Sequence, residues 1–248
     1  MDEHKELDIL EMPVEALAAY WLSIKKLLDA KKDLALLAVE AENTSEPYIR
    51  HLLDTAQSEM APELALTLAR AKRGVLLTEF RRRMEMMRRT LMGIAGSENP
   101  RLTLLGLNAL AGTTPFHEQR TFELATALMA TVTEKDALLP TLLGVDHKHK
   151  DDRLVVKLLF YSINTRRSGK QSLNNFLPHL HAGFFAEGLS LCADGLEPEF
   201  VGRHLGVIRD TTLLATRRKM DMAAQMSLAI KAGLSYDDVF RVARAYMI

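Results

Sequence analysis

Cysteine is nearly absent from this chain, and Cys192 is the single one in 248 residues. One thiol excludes a disulfide framework within the chain and is typical of a reducing compartment. We expect Cys192 to be a packing residue, because free cysteines are among the most buried residue types. Net charge is also lacking, since 32 Lys and Arg balance 32 Asp and Glu. Overall charge therefore favours neither nucleic acid nor an anionic membrane as a partner.

The sequence shows neither a secretory signal nor a membrane span. It opens with MDEHKELDILEMPVEAL, which is acidic, whereas a signal peptide has a basic start and then an apolar run. The longest uncharged run of note, Leu102–Phe116, is interrupted by Asn, Gly, Thr and Pro. It is also shorter than the roughly 20 apolar residues of a spanning helix. The sequence predicts a soluble, cytoplasmic protein.

Familiar catalytic motifs are missing as well. Gly202–Gly206 reads GRHLG and lacks the Lys-Ser/Thr of a phosphate-binding loop. The chain has no Gly-x-Ser-x-Gly elbow and no His-Glu-x-x-His pair. We expect a protein that is not an enzyme and that needs no cofactor. The alternative is a helical enzyme or nucleic-acid-binding protein whose site lies within residues 97–151.

Apolar residues recur at helical spacing along almost the whole chain, which predicts an all-α fold. Pro62 suits the first turn of one long helix, and Ser235 suits an N-cap with Asp238. The predicted helices are Pro13–Ala30, Lys32–Ala41, Glu46–Gln57, Glu63–Ala95, Pro100–Leu110, Phe116–Ala130, Glu134–Leu143, Asp152–Asn164, Gln171–His181, Phe184–Ala193, Pro198–Ala232 and Tyr236–Ile248.

A basic string occurs twice, as RRRMEM from Arg81 and as RRKMDM from Arg217. The two strings lie 136 residues apart, and the same offset aligns Pro62-Glu63 with Pro198-Glu199 without a gap. Such self-similarity predicts an internal duplication. We expect two similar helical lobes, 1–96 and 152–248, joined by a helical connector, 97–151.

The second copy resembles the cytoplasmic segment of the MotA family, the proton-channel subunit of the flagellar stator. The likeness rests on RRSG, on thirteen intervening residues and on GFFAEGLSLCADGLEPEFVGRHL. The residues that fit the family pattern are Arg166, Gly169, Phe184, Gly188, Asp194-Gly195, Glu199 and Leu205, and Gly183 stands where the family has proline. Pro47-Tyr48 keeps the Pro-aromatic pair in the first copy.

This resemblance implies a helical module that contacts components of the flagellar rotor or stator. It assigns Arg166 to the charged surface that such proteins present to the rotor. Two departures from the family pattern bear on function. The family's membrane helices are absent, and Asn174 stands where a glutamate of that surface is expected. The resemblance therefore predicts an accessory or regulator of the motor, without a proton channel of its own.

The repeated strings are the candidate binding surface for a protein partner. Arginines form bidentate contacts with carboxylates, and two matching patches would engage a repeated or symmetric partner. The candidate residues are Arg81, Arg82, Arg83, Arg217, Arg218 and Lys219, together with Arg166 from the resemblance. The alternative is a solvated helix face whose pairs include Glu85–Arg89. Interleaved aromatics are lacking, so nucleic acid is not expected.

Two histidines, His147 and His149, lie among carboxylates in Asp146–Asp152. Imidazole and carboxylate are good metal ligands. However, the segment reads as a loop between helices, and an exposed charged loop is the favoured interpretation. We therefore expect no metal site there.

Overall fold

The computed structural model describes residues 7–112, 114–134 and 138–247, and in these ranges the chain is all-α, as predicted, with no strand. The helices are α1 Val14–Lys31, α2 Ala35–Asn43, α3 Pro47–Gln57, α4 Pro62–Ala95, α5 Pro100–Leu110, α6 Glu118–Val132, α7 Leu139–Leu143, α8 Asp151–Ser168, α9 Phe184–Ala193, α10 Pro198–Lys231 and α11 Tyr236–Arg244. No helix in the described ranges is both long enough and apolar enough to cross a membrane.

Helix ends follow the local signals closely. The prolines Pro62 and Pro198 are the first residues of α4 and α10, where a missing N–H costs no intrahelical bond. Ser235 caps α11, since its Oγ accepts a hydrogen bond from the amide of Asp238 at 3.2 Å. The predicted Glu134–Leu143 helix includes residues 135–137, which lie outside the described residues, as does Ile248. The described part of that helix is α7.

The predicted helix Gln171–His181 is wrong, because this segment forms two short 3-10 turns, Lys170–Asn175 and Leu177–His179. Ser172 Oγ donates to the carbonyl of Gly169 at 2.7 Å and so competes with helical pairing. Pro178, near the start of the second turn, lacks the N–H that a continuing α-helix would use.

The first compact unit holds the described residues up to Glu79 and those from Thr211 onward. It contains α1, α2, α3, α11, the first part of α4 and the last part of α10. Trp21, Leu17 and Leu53 are fully buried in it. The large apolar side chains provide most of the favourable free energy of such a core.

The second compact unit spans Phe80–Asp210. It contains α5 to α9, the last part of α4 and the first part of α10. Its core includes Leu91, Leu107 and Leu158, all without solvent exposure. Rings of Phe160 and Tyr161 add edge-to-face contacts there. The expected lobes 1–96 and 152–248 differ from these units, since α4 and α10 each divide between the two.

Corresponding helices have matching lengths in the two predicted copies. Both α4 and α10 have 34 residues, and α10 begins 136 residues after α4. The turns that follow them also match. After α4, the amide of Glu98 donates to the carbonyl of Gly93 at 2.8 Å. After α10, the amide of Leu234 donates to the carbonyl of Ala229 at 3.0 Å, and both of these residues lie 136 positions after their counterparts. Asn99 and Ser235, again 136 apart, then cap α5 and α11.

The first helix of each predicted copy continues this correspondence at an offset of 137. Both α1 and α8 have 18 residues, and each ends beside a residue of positive φ, Lys32 at 54° and Gly169 at 79°. Trp21 on α1 and Leu158 on α8 correspond at this offset, and both are fully buried. The helices α6 and α7 fall between the two copies. These matches support the duplication, which stays a prediction.

Two ion pairs indicate how the copies combine within the units. Arg73 pairs with Asp221 in the first unit, and Arg209 pairs with Glu85 in the second. At the offset of 136, Arg209 corresponds to Arg73 and Asp221 corresponds to Glu85. In each pair the arginine comes from one predicted copy and the acid from the other, and the two pairs use the copies in opposite order. Under the predicted duplication, each unit therefore combines the first part of one copy with the last part of the other.

Candidate partner-binding surface

The third residue of each basic string anchors the backbone just before a helix. Arg83 Nη1 donates to the carbonyl of His147 at 2.7 Å, ahead of α8. Lys219 Nζ donates to the carbonyls of Leu10 and Met12 at 3.0 and 2.9 Å, ahead of α1. Leu10 and His147 correspond at the offset of 137. The conserved geometry of this contact in both units gives Arg83 and Lys219 a structural role.

Lys219 carries its charge in a buried setting, with 8% of the residue exposed. Burial lowers its pKa, and the nearby acids Asp8 and Glu46 act in the opposite direction. A buried ammonium is stable only where acceptors and opposite charge surround it. Lys219 is therefore a component of the fold rather than of an exposed surface.

Arg81 and Arg82 both pair with acids inside the second unit. Arg82 Nη2 lies 2.7 Å from Asp151 Oδ2, and the arginine side chain is only 18% exposed. Asp151 is the first residue of α8, where a carboxylate is also favoured by the helix dipole. Arg81 Nη2 lies 3.0 Å from Asp210 Oδ1 in a more exposed pair.

Arg217 and Arg218, the corresponding residues of the first unit, are exposed on α10. Neither forms a hydrogen bond or ion pair with any residue in the described ranges. The reason is visible in the sequence. Gly74 corresponds to Asp210 and Val14 to Asp151, so the two internal acids have no counterpart in this unit. We call Arg217 and Arg218 the free arginine pair.

An apolar side chain lies beside the free arginine pair. Leu214 is 69% exposed and precedes Arg217 and Arg218 by three and four residues on α10. Residues at this spacing share one face of a helix. The face therefore combines two guanidinium groups with one exposed leucine.

Arg166, the candidate taken from the resemblance, lies in the last turn of α8. Its Nη1 donates to the carbonyl of Ser97 at 3.1 Å, in the turn where Ser97 has a positive φ of 53°. The side chain is exposed, so this bond leaves donors for other contacts. Arg166 belongs to the second unit, whereas the free arginine pair belongs to the first.

The Asp146–Asp152 segment is held together by its own contacts. His147 Nδ1 lies 3.1 Å from Asp146 Oδ1, and its ring meets Phe80 edge-on at 5.4 Å. His149 Nδ1 accepts from the amide of Asp146 at 3.2 Å. Burial and the charge of Lys157 lower the pKa of His149 to about 4, so this ring is neutral near pH 7. The described residues contain no cluster of three or more metal-ligating side chains.

Cys192 is buried, as expected for a packing residue. Its Sγ donates to the carbonyl of Leu91 at 3.3 Å. Burial raises the pKa of the thiol to about 12. The thiolate is the reactive form of cysteine, so this thiol is unreactive near neutral pH.

Lys157 on α8 is buried against the end of α7. Its Nζ donates to the carbonyl of Thr141 at 2.9 Å and to that of Gly144. Burial, with the charge of Arg153, lowers its pKa to about 8. Free carbonyls at a helix end are favourable partners for a lysine.

The stability contribution of Lys157 is expected to depend on pH. An unfolded lysine has a pKa of about 10.4, so between about pH 8 and pH 10 the unfolded chain binds more protons than the folded chain. The free energy of unfolding of wild type, relative to Lys157→Met, should therefore rise with pH across this range, by on the order of 2 kcal/mol. Urea denaturation of both proteins at several pH values measures the difference. A difference independent of pH would contradict the lowered pKa.

The acids Asp151 and Asp210 were not identified from the sequence as partners of the first string. No local pattern joins them to it, because Asp151 lies 69 residues from Arg82 in the chain. Comparison with known proteins adds nothing to this assignment, because no family model, curated protein or solved structure matches the chain.

Proposed function

We propose that this protein is a non-catalytic protein-binding module whose free arginine pair contacts an acidic protein partner. The observation that carries the proposal is the difference between the two units. The arginine pair is kept in both copies, but its internal acids are kept in only one. The second unit satisfies its pair with Asp210 and Asp151, whereas the first unit leaves Arg217 and Arg218 exposed.

The chemistry of the face suits carboxylates on a protein. Each guanidinium presents a planar fork of donors that matches a carboxylate, and two adjacent forks match an acidic segment. Leu214 adds an apolar contact of the kind that contributes affinity beside a charged rim. Adjacent like charges also repel each other in the free protein, and a partner's carboxylates would relieve this repulsion.

The resemblance to the MotA cytoplasmic segment supports a partner from the flagellar motor. We propose a cytoplasmic accessory or regulator that binds a rotor or stator component. The two strings do not form matching patches, because the first is internally neutralised. The proposed contact is therefore one basic face on the first unit rather than a pair of patches on a symmetric partner.

Photo-crosslinking in the native host tests this function. With p-benzoylphenylalanine in place of Leu214, irradiation should give a discrete protein adduct. The double variant Arg217→Glu/Arg218→Glu should lose it, since reversed charges repel an acidic partner. Arg203→Glu is the matched control, because Arg203 is also exposed on α10, and it should keep the adduct.

Two results would contradict the proposal. The first is an adduct that persists unchanged in the charge-reversed protein while that protein remains folded. The second is an adduct that nuclease digests, which would identify nucleic acid as the partner. Mass spectrometry of the adduct identifies the partner and decides whether it belongs to the motor.

A further inference from the structure

An open cavity of about 290 Å³ lies in the second unit, between the inserted helices α6 and α7 and the start of α8. Its lining residues are Leu124, Leu128, Thr141, Leu142, Asp152, Arg153, Val156 and Lys157. The volume is close to the lower end for ligand sites, which begin at roughly 300 Å³. We call this cavity the α6–α8 groove.

The apolar side of the groove comes from leucines and a valine on three helices. Leu124 is 47% exposed, and Leu128, Leu142 and Val156 are partly buried. Such a surface is concave and predominantly apolar, which is the usual character of a small-molecule site. The small volume excludes a peptide helix as the occupant, because a helix with its side chains is about 10 Å across.

The polar side of the groove carries a net positive charge. Arg153 and Lys157 lie one helical turn apart on α8, with Asp152 as the single acid of the lining. Arg153 is exposed and forms no ion pair with any residue in the described ranges. Its charge also contributes to the lowered pKa of Lys157. Arg153 is therefore the exposed cation of the groove, and Lys157, which is 4% exposed and donates to two backbone carbonyls, adds its charge from beneath the surface.

We propose that the α6–α8 groove binds a small apolar monocarboxylate. The carboxylate accepts hydrogen bonds from the Arg153 guanidinium and is attracted by Lys157. The hydrocarbon part packs against Leu124, Leu128 and Val156. An anion with a short apolar body matches both sides of the groove, whereas a fully apolar ligand leaves the charges unneutralised and a hydrophilic anion leaves the leucines exposed.

This inference is independent of the proposed partner contact. The groove lies in the second unit, and the free arginine pair lies in the first. Variants at either site should leave the other function unchanged. Failure of one proposal therefore does not affect the other.

Titration of the full-length protein with octanoate, and with octanol as an uncharged counterpart, tests the inference. Methyl NMR should show saturable shifts for Leu124, Leu128 and Leu142 with octanoate, and at least about tenfold weaker binding of octanol, as expected when a charge-assisted hydrogen bond is lost. Arg153→Gln should weaken octanoate binding by about tenfold for the same reason. Arg120→Gln is the matched control, since Arg120 is exposed on α6 but does not line the groove.

Blocking the cavity gives a second, independent readout. Leu124→Trp should abolish the octanoate shifts and leave the free energy of unfolding nearly unchanged, because Leu124 is half exposed. Equal affinity for octanol and octanoate would overturn the proposal. So would unaltered octanoate binding in Arg153→Gln or in Leu124→Trp, and so would the absence of saturable shifts in wild type.

Discussion

Replacing Lys219 with methionine is expected to lower the free energy of unfolding by about 2–4 kcal/mol. The change removes the hydrogen bonds to the carbonyls of Leu10 and Met12. It also removes the buried positive charge beside Asp8 and Glu46, which are 8% and 4% exposed. Breaking a buried charge interaction from one side is costly because the remaining charge is still desolvated. Urea denaturation followed by circular dichroism measures the loss.

The matched control for Lys219→Met is Arg218→Met, the same kind of change one residue earlier. Arg218 is exposed and forms no ion pair with the described residues. We therefore expect a change within about 0.5 kcal/mol, as for other exposed sites. A similar loss in free energy of unfolding for the two variants would show that Lys219 does not differ in role from the free arginine pair.

Replacing Gly188 with valine is expected to cost about 2–4 kcal/mol through overpacking. A Cβ built at Gly188 on α9 would lie 2.5 Å from Leu91 Cδ1 and 2.9 Å from Leu205 Cδ1. Both leucines have no exposed surface, so they have little room to move. Denaturant unfolding of the variant measures the cost.

Gly206→Val on α10 is the control for Gly188→Val. A Cβ at Gly206 meets no atom within 4 Å. Valine has a higher helix propensity than glycine, so this change should be neutral or slightly stabilising. If Gly188→Val were equally mild, the close approach of α9 to α4 would be wrong.

The Gly188 contact also bears on the duplication. Leu91 meets Gly188 in the second unit, while in the first unit the corresponding residues are Ser227 and Leu52. There the small residue is on the long helix and the large one on the short helix, and Ser227 Oγ bonds to Leu52 O at 3.1 Å. A large and a small residue thus meet in both units, although the two positions exchange sizes. Exchanges that roughly conserve volume are tolerated in cores.

The helices themselves could be predicted from the sequence because their signals are local. The stripe of Leu76, Phe80, Met84, Met87, Leu91 and Ile94 is periodic over several turns, and the structure buries all of them except the half-buried Leu76. Prolines and caps then set the ends. The segment after Gly169 was the exception, because there the Ser172 side chain and Pro178 compete with a weak apolar pattern.

The roles of the arginines depended on residues far away in the chain. Arg82 lies 69 residues from Asp151, and no local pattern joins them. The expected pair Glu85–Arg89 does not form either. Glu85 pairs with Arg88 and with the distant Arg209, and Arg89 pairs with Glu98. Spacing alone identifies which residues share a helix face but not which acids reach that face.

The free arginine pair is best tested by restoring the missing acids. Gly74→Asp places a carboxylate where Asp210 meets Arg81 in the other unit, and no atom lies within 4 Å of a Cβ at this position. Val14→Asp likewise reproduces Asp151 at the first residue of a helix. The restored acids should pair internally with Arg217 and Arg218.

Crosslinking yield at position 214 in the Val14→Asp/Gly74→Asp protein is therefore the most direct measurement of the central claim. Gly206→Asp provides the control for adding an acid at an open helical position. We predict that the double variant remains folded and loses most of the adduct, while the control keeps it. An unchanged adduct in the folded double variant would show that the partner does not need the free arginine pair.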